Sequence, residues 1–233
     1  RRSPPFGSPP AFRIEGTFFT EGSKRPVKAT LDRKFDTEAE ARAFLERCIG
    51  AQFHVASVEK REAHRTPAPP FTTSTLQQEA ARKLGFSVSQ TMSIAQRLYE
   101  AGLITYMRTD SMNLSSLALN TTKEKVTELF GAAYSKVRNY HTKTKGAQEA
   151  HEAIRPTYVS NMEIEGTATE KRLYNLIWKR TVACQMADAR VEKTDVAIAS
   201  DRFDERFLVS GEQILFDGFL EVYIEGRGGE GNE

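Results

Sequence analysis

Hydrophobic and polar positions alternate at residues 53–59 and, in part, at residues 12–19. Alternation with a period of two residues is typical of half-buried strands. Six strands are predicted in all, at residues 12–19, 27–31, 53–59, 195–199, 206–210 and 218–223. Between the second and third of these, a helix is predicted from Glu38 to Cys48, with a cap at Asp36 or Thr37 and an end at Gly50.

The middle of the chain instead has the 3.6-residue periodicity of helices. Four helices are predicted, at residues 75–84, 90–100, about 113–130 and about 169–186. Thr73 or Ser74 would cap the first and Ser87 or Ser89 the second, and the tight turn between them resembles a helix-turn-helix. The apolar residues expected to form the buried face of the last helix are Leu173, Leu176, Ile177, Val182 and Ala183.

The order strand, helix, strand predicts an α+β protein in which a mainly helical domain is inserted into an antiparallel β domain. Residues 11–65 and 188–226 would form the discontinuous β domain, and residues 66–187 the helical domain, with prolines at 67, 69 and 70 marking the boundary. Residues 1–10 lack the apolar segment of a secretory signal and are interpreted as a disordered leader or an expression-vector remnant. Residues 227–233 are interpreted as a flexible tail.

Composition narrows the class of protein. The chain is 39% hydrophobic and 27% charged, and no apolar run approaches the roughly 18 residues that span a bilayer, so no membrane anchor is expected. Cys48 and Cys184 are far apart and belong to no Cys-x-x-Cys pair. This usage favours a reducing compartment, here the cytoplasm, over a disulfide scaffold or a zinc site.

The net charge of +2 is unevenly distributed. Residues 66–187 carry 15 basic and 10 acidic side chains, whereas residues 188–233 carry 5 and 12. The middle is therefore the better candidate for binding a polyanion, especially the basic stretch Lys123–Lys145. Charge alone is better explained by a solvated helix face and loop.

The densest group of chemically active residues is the segment 103–111, Leu-Ile-Thr-Tyr-Met-Arg-Thr-Asp-Ser. Leu103–Tyr106 is predicted to be a short strand, on which Tyr106 and Arg108 would face the same side and could meet one phosphate. A phenol with a pKa of about 10 is a poor nucleophile at neutral pH, and a cation beside the phosphate lowers the charge barrier to attack. Spacing alone fits a structural tyrosine beside a salt-bridged arginine better.

A second group lies in the segment 147–157, Ala-Gln-Glu-Ala-His-Glu-Ala-Ile-Arg-Pro-Thr. His151, whose ordinary pKa is near 6.5, could contact a phosphate or move a proton, and Arg155 could bind a backbone phosphate. The structural alternative pairs these two residues with Glu149 or Glu152. By the same argument, Gln96 and Glu100 are surface polar residues of the second helix.

Three segments resemble signatures of the type IA DNA topoisomerases and occur in the same order. They are Pro69–Gln78, Ala95–Ser111 and Glu149–Thr157. Met107, within Thr-Tyr-Met-Arg-Thr-Asp, is similar to the bacterial topoisomerase I branch rather than to topoisomerase III, in which proline is usual.

The resemblance implies that Tyr106 attacks a phosphodiester of single-stranded DNA and becomes linked to the 5′ phosphate. Arg108 would position and neutralise that phosphate, and His151 would contact DNA near it. Weaker supporting roles in DNA binding fall to Gln96, Glu100, Asp110, Glu152 and Arg155. The helical domain would carry the tyrosine, and the β domain would form the arch of a gate through which a strand of negatively supercoiled DNA passes.

One departure from the family is that its magnesium-binding carboxylates have no counterpart, since no Asp-x-Asp occurs in the chain. The resemblance then implies that Mg²⁺ is bound by a domain absent from this chain and that no metal site is expected in the fragment. The fragment alone would be inactive, and its partners would be DNA and the remaining domains of the same enzyme, at the nucleoid.

Three other interpretations remain. A non-catalytic DNA-binding module would use the helix pair and the stretch Lys123–Lys145. A tyrosine recombinase is disfavoured because Tyr106 precedes the histidine and the spacing is His151-x-x-x-Arg155. A purely structural β and helix domain would leave every motif residue without a chemical role.

Overall fold

The computed structural model describes residues 11–141 and 151–225. The predicted leader 1–10 and tail 227–233 lie outside the described residues, as do Lys143, Lys145 and Glu149.

The described residues form an α+β protein, as the sequence predicts. The strands are β1 (Glu15–Phe18), β2 (Val27–Leu31), β3 (Phe53–Arg65), β4 (Ala189–Ser200) and β5 (Phe203–Phe216). The α-helices are α1 (Glu38–Cys48), α2 (Thr73–Leu84), α3 (Val88–Glu100), α4 (Ser116–Phe130) and α5 (Ala168–Ala183). Short 3₁₀ helices lie at Ala132–Tyr134 and Gly218–Glu221. None of the helices in the described ranges has the length and apolar character needed to cross a membrane.

The chain divides into two compact units, and the first is the β unit, residues 11–63 and 191–214. The sheet has the order β1-β2-β5-β4-β3. Its antiparallel register pairs Glu15 with Thr30 and Leu31 with Phe207. Phe44 of α1 packs between Phe35 and Phe203, with ring centroids 5.5 and 4.6 Å apart. The core of this unit is therefore largely aromatic.

The second is the helical unit, residues 64–141, 151–190 and 215–225. Its core is built on α5, whose five predicted apolar positions are all buried. The single tryptophan, Trp178, is also buried there and donates a hydrogen bond from Nε1 to the carbonyl of Val159 at 2.8 Å. The catalytic candidates all belong to this unit.

The structure of the C-terminal segment differs from two expectations. Residues 218–223 were predicted to be a strand of the β domain, but Gly218–Glu221 is a 3₁₀ helix and residues 215–225 belong to the helical unit. Gly218 has a φ of +51°, and a Cβ there would lie 2.4 Å from the carbonyl oxygens of Ala187 and Asp188. Because only glycine fits so close to another backbone, the chain turns here instead of extending.

Candidate active site

The segment that carries Tyr106 is not the short strand that the sequence predicts. Ile104 forms an isolated antiparallel bridge with Pro156, and the ladder stops there. A proline has no amide hydrogen to donate, so it ends the pairing. The expected alternation of side chains nevertheless holds, because Tyr106 and Arg108 are exposed while Met107 is buried in the core.

Two threonines hold this segment to other parts of the helical unit. The hydroxyl of Thr105 donates to the carbonyl of Ala153 at 2.7 Å and accepts from the amide of Arg155 at 2.9 Å. The hydroxyl of Thr73 donates to the carbonyl of Met107 at 2.7 Å and accepts from the amide of Thr109 at 2.8 Å. The sequence predicted Thr73 only as a candidate cap of α2, a position that Thr72 takes, and it gave Thr105 no role, although both threonines lie inside the segments that resemble the family's signatures.

A buried serine brings His151 alongside the tyrosine segment. The hydroxyl of Ser111 donates to the carbonyl of His151 at 2.6 Å and accepts from the amide of Asn113 at 3.1 Å. The carbonyl of Asn113 in turn accepts from the amide of Ala153 at 2.8 Å. Residues 40 positions apart in the sequence therefore meet through hydrogen bonds to backbone carbonyls, which the sequence pattern does not reveal.

Tyr106 and His151 line one open cleft of about 440 Å³. Its other lining residues are Tyr99, Thr105, Thr109 and Glu152. Tyr106 is 48% exposed, and the ring of Tyr99 meets its ring edge to face, with centroids 5.2 Å apart. The structure thus brings together two of the three predicted catalytic residues, and it adds Tyr99, which the sequence did not single out.

Arg108 is exposed, like Tyr106, but is not among the residues that line the cleft. Within residues 11–141 and 151–225, its guanidinium takes part in no hydrogen bond or ion pair, and neither does the carboxylate of Asp110. Over the part of the chain that the structure describes, Arg108 is therefore not the salt-bridged arginine of the structural alternative. An exposed, unpaired guanidinium is suited to binding a phosphate.

Glu152 and Arg155 instead form the structural network that the alternative describes. Arg155 meets Oε2 of Glu152 through Nε at 3.0 Å and through a terminal nitrogen at 2.8 Å. The other carboxylate oxygen of Glu152 accepts from the amide of Ser115, the N-cap of α4, at 2.9 Å. On α3, Gln96 similarly donates to Glu100 at 2.8 Å. These four predicted site residues thus form two pairs, Glu152 with Arg155 and Gln96 with Glu100.

The described residues do not fit a magnesium site. Across ranges 11–141 and 151–225, no group of three or more His, Cys, Asp or Glu side chains is placed to hold a metal ion. The carboxylate that lines the cleft, Glu152, is already bonded to Arg155 and to the Ser115 amide.

The basic stretch is less available to a polyanion than its charge indicates. Arg138 is paired with Asp188 at 2.6 Å and also donates to the carbonyl of Met186 at 3.0 Å. Lys125 pairs with Glu128 at 3.5 Å. These two cations therefore have structural partners within the helical unit.

The chain is similar to known DNA topoisomerases. A family model described as DNA topoisomerase matches residues 5–233. The chain is 48% identical over 194 residues to DNA topoisomerase 1 of Synechocystis sp., covering 81% of this chain and 21% of that protein. It is 44% identical over 254 residues to DNA topoisomerase 1 of Mycolicibacterium smegmatis, covering 99% of this chain and 27% of that protein.

A solved structure is also similar. Full-length topoisomerase I from Thermotoga maritima superposes with a TM-score of 0.76 at 33% sequence identity, covering 95% of this chain and 39% of that one. The chain thus spans about a fifth to a quarter of the length of these two curated relatives. From the family model and these relatives together, the chain belongs to the type IA DNA topoisomerase family.

Proposed function

We propose that this chain is the tyrosine-carrying part of a longer DNA topoisomerase, which relaxes negatively supercoiled DNA through transient cleavage of one strand. The observation that carries the proposal is the exposed phenol of Tyr106 in a cleft shared with His151, two residues from Arg108, which is unpaired among the described residues. Membership of the family supports it.

The reaction exchanges one phosphodiester for another. The phenolic oxygen of Tyr106 forms a bond to the phosphorus, and the bond from phosphorus to the 3′ oxygen of the preceding sugar breaks. The phenolic proton is lost to solvent and the leaving 3′ oxygen gains one, so the products are a 5′-phosphotyrosine and a free 3′ hydroxyl. Religation is the reverse, with the 3′ hydroxyl attacking the phosphorus, and no oxidant or nucleotide is consumed.

Arg108 and His151 have separate roles in this proposal. The guanidinium of Arg108 binds the scissile phosphate and offsets the negative charge that develops on it during attack. His151, exposed in the cleft opposite the segment, contacts the DNA backbone next to that phosphate. The cleft is open to solvent, which suits an extended single strand better than a small molecule.

The other five predicted site residues are assigned supporting roles in DNA binding and no part in the exchange itself. Asp110 is exposed and lies two residues beyond Arg108. Glu152 lines the cleft and is paired with Arg155, and Gln96 is paired with Glu100 on α3; we assign these four residues support of the DNA-binding surface.

We also propose roles for the β unit and for the domains of the enzyme outside this chain. The β unit forms part of the gate that separates the broken ends, and Mg²⁺ is held by a domain outside this chain, in a protein of the bacterial cytoplasm and nucleoid. The share of the relatives' length that the chain spans supports this division. The chain alone is therefore expected to be inactive.

Covalent trapping tests the proposal. The chain is combined with the metal-binding domain of a bacterial relative to give the complemented protein, which is mixed with labelled single-stranded DNA and then denatured. We expect a covalent adduct in the complemented protein and in the Tyr158→Phe control, which alters an exposed tyrosine outside the cleft, and none in Tyr106→Phe.

Two results would argue against the proposal. An undiminished adduct in Tyr106→Phe would show that another residue is the nucleophile. Salt-sensitive DNA binding without any adduct, in protein whose two parts are both folded, would favour the non-catalytic DNA-binding module.

A further inference from the structure

We infer that Thr73 and Thr105 are positioning residues for Tyr106, whose hydroxyls clamp the backbone on both sides of the nucleophile. The inference rests on the proposed function, because it gives the two threonines a part in the same reaction. Neither threonine is placed to donate or accept a proton in the exchange itself. They act through the backbone that carries the phenol and Arg108.

Thr105 forms the clamp on the N-terminal side. Its hydroxyl is saturated, donating to the carbonyl of Ala153 at 2.7 Å and accepting from the amide of Arg155 at 2.9 Å. Its own amide donates to the carbonyl of Arg155 at 2.9 Å. Three bonds thus tie the residue before Tyr106 to a segment about 50 positions away.

Thr73, at the start of α2, forms the clamp on the C-terminal side. Its hydroxyl donates to the carbonyl of Met107 at 2.7 Å and accepts from the amide of Thr109 at 2.8 Å. Its amide donates to the carbonyl of Thr109 at 2.9 Å. The helix N-terminus therefore holds the backbone on both sides of Arg108.

The side chains between the clamps have little else to orient them. Tyr106 meets the ring of Tyr99, and within the described ranges its hydroxyl makes no hydrogen bond. Met107 is 1% exposed and anchors the segment to the core. The position of the phenolic oxygen is consequently set by the backbone, which the two threonine hydroxyls and Met107 fix.

Valine has the shape of threonine without the hydroxyl, so Thr105→Val and Thr73→Val each remove one clamp and leave its backbone partners unpaired. A misplacement of about 1 Å in a reacting group lowers the rate on the order of a hundredfold. We therefore expect each valine variant of the complemented protein to form the Tyr106 adduct about ten- to a hundredfold more slowly in single turnover, with little change in DNA affinity. Thr105→Ser and Thr73→Ser retain the hydroxyl and should restore most of the rate.

Thr122→Val is the matched control. Thr122 is fully buried on α4, and its hydroxyl has no hydrogen-bond partner among the described residues, so this variant removes a hydroxyl that clamps nothing. It should form the adduct at the wild-type rate. A wild-type rate in both Thr105→Val and Thr73→Val would overturn the inference. So would serine variants that react as slowly as the valine variants. A loss of DNA affinity large enough to account for the slower reaction would also overturn it.

Hydrogen exchange of the chain alone separates this inference from the proposed function. In Thr105→Val the amide of Arg155, and in Thr73→Val the amide of Thr109, should lose protection, whereas Thr122→Val should keep both. If the wild-type protein forms no adduct, the proposed function fails, and the exchange pattern still decides whether the clamps exist. Unchanged protection in the valine variants would show that they do not.

Discussion

Replacement of Arg180 by methionine should destabilise the helical unit severely. Arg180 lies on α5, is 3% exposed, and donates to the carbonyl of Pro69 at 2.6 Å and to the hydroxyl of Tyr223 at 3.1 Å. Its guanidinium also lies over the ring of Phe71, 4.5 Å from the centroid. The hydroxyl of Tyr223 in turn donates to the buried carboxylate of Glu79.

The expected cost follows from these contacts. Hydrogen bonds to a charged group contribute about 1.5–3 kcal/mol each, and a desolvated cation over an aromatic ring about 1–2 kcal/mol. Methionine recovers part of this loss by burying apolar surface, while Pro69 keeps an unpaired carbonyl. Glu79 retains Arg82 and Lys83 at 3.6 and 3.9 Å, so it is not left as an isolated charge. We expect the free energy of unfolding to fall by about 3–5 kcal/mol.

The single tryptophan allows a selective assay. Trp178 is buried on the same helix, so its fluorescence during urea unfolding reports on the helical unit. Arg172→Met is the matched control, because Arg172 is exposed on α5 and its only described contact is with the ring of Phe86 at 5.3 Å. The control should lose less than about 1 kcal/mol. Equal stabilities of the two variants would refute the energetic role assigned to Arg180.

Three further predictions concern single groups. Thr122→Val should raise the free energy of unfolding by about 1 kcal/mol in urea titrations, because it removes a buried hydroxyl without a partner in the described ranges; a loss of stability would contradict this. Burial raises the pKa of Tyr140 and Tyr174 to about 12. Because these values lie above the unfolded value near 10, their stabilising contribution is complete below about pH 10 and is lost as the pH rises toward 12; an unfolding midpoint that stays constant over this interval would contradict the burial. Arg108→Ala should slow adduct formation in the complemented protein on the order of a hundredfold. Arg108→Lys should recover part of the rate, because the positive charge matters more than the fork geometry of the guanidinium. If the alanine variant reacts at the wild-type rate, Arg108 has no role in the mechanism.

Local signals in the sequence predict the helices well. The bounds of α1 match the prediction, and its N-cap is Thr37, whose side chain accepts from the amide of Glu40. α2 begins slightly earlier than predicted because Thr72 and Thr75 cap it reciprocally, a variant of the capping box with threonine in place of the usual acid or amide. In each case the deciding bond joins residues three apart.

Non-local contacts could not be predicted in the same way. Residues 218–223 are mostly apolar, but Gly218 lies close to the backbone of residues 187 and 188, and Gly218–Glu221 forms a 3₁₀ helix. The Tyr106 segment has strand-like alternation, yet its partner across the bridge is Pro156. Nothing in the sequence pattern shows that Thr73 and Thr105 reach residues 34–50 positions away.

The sequence identified candidate chemical residues, whereas their hydrogen-bonding partners could not be predicted from it. Spacing alone favoured a salt-bridged arginine beside Tyr106, and the structure leaves Arg108 unpaired within the described ranges while Arg155 is the arginine that is paired. The two differ because Glu152 is held three residues from Arg155 and bonded to the cap of α4. Such a distinction depends on which carboxylate the fold brings close.

The central claim is that the phenolic oxygen of Tyr106 exchanges with a sugar oxygen of DNA. The most direct measurement uses two single-stranded oligonucleotides, labelled at the 5′ or at the 3′ end, which react with the complemented protein before denaturation and digestion. The account predicts that only the 3′-end label remains with the protein, on the peptide that contains Tyr106, and that the 5′-labelled piece is released with a free 3′ hydroxyl. A label retained from the 5′ end, or attached to a peptide without Tyr106, would contradict it.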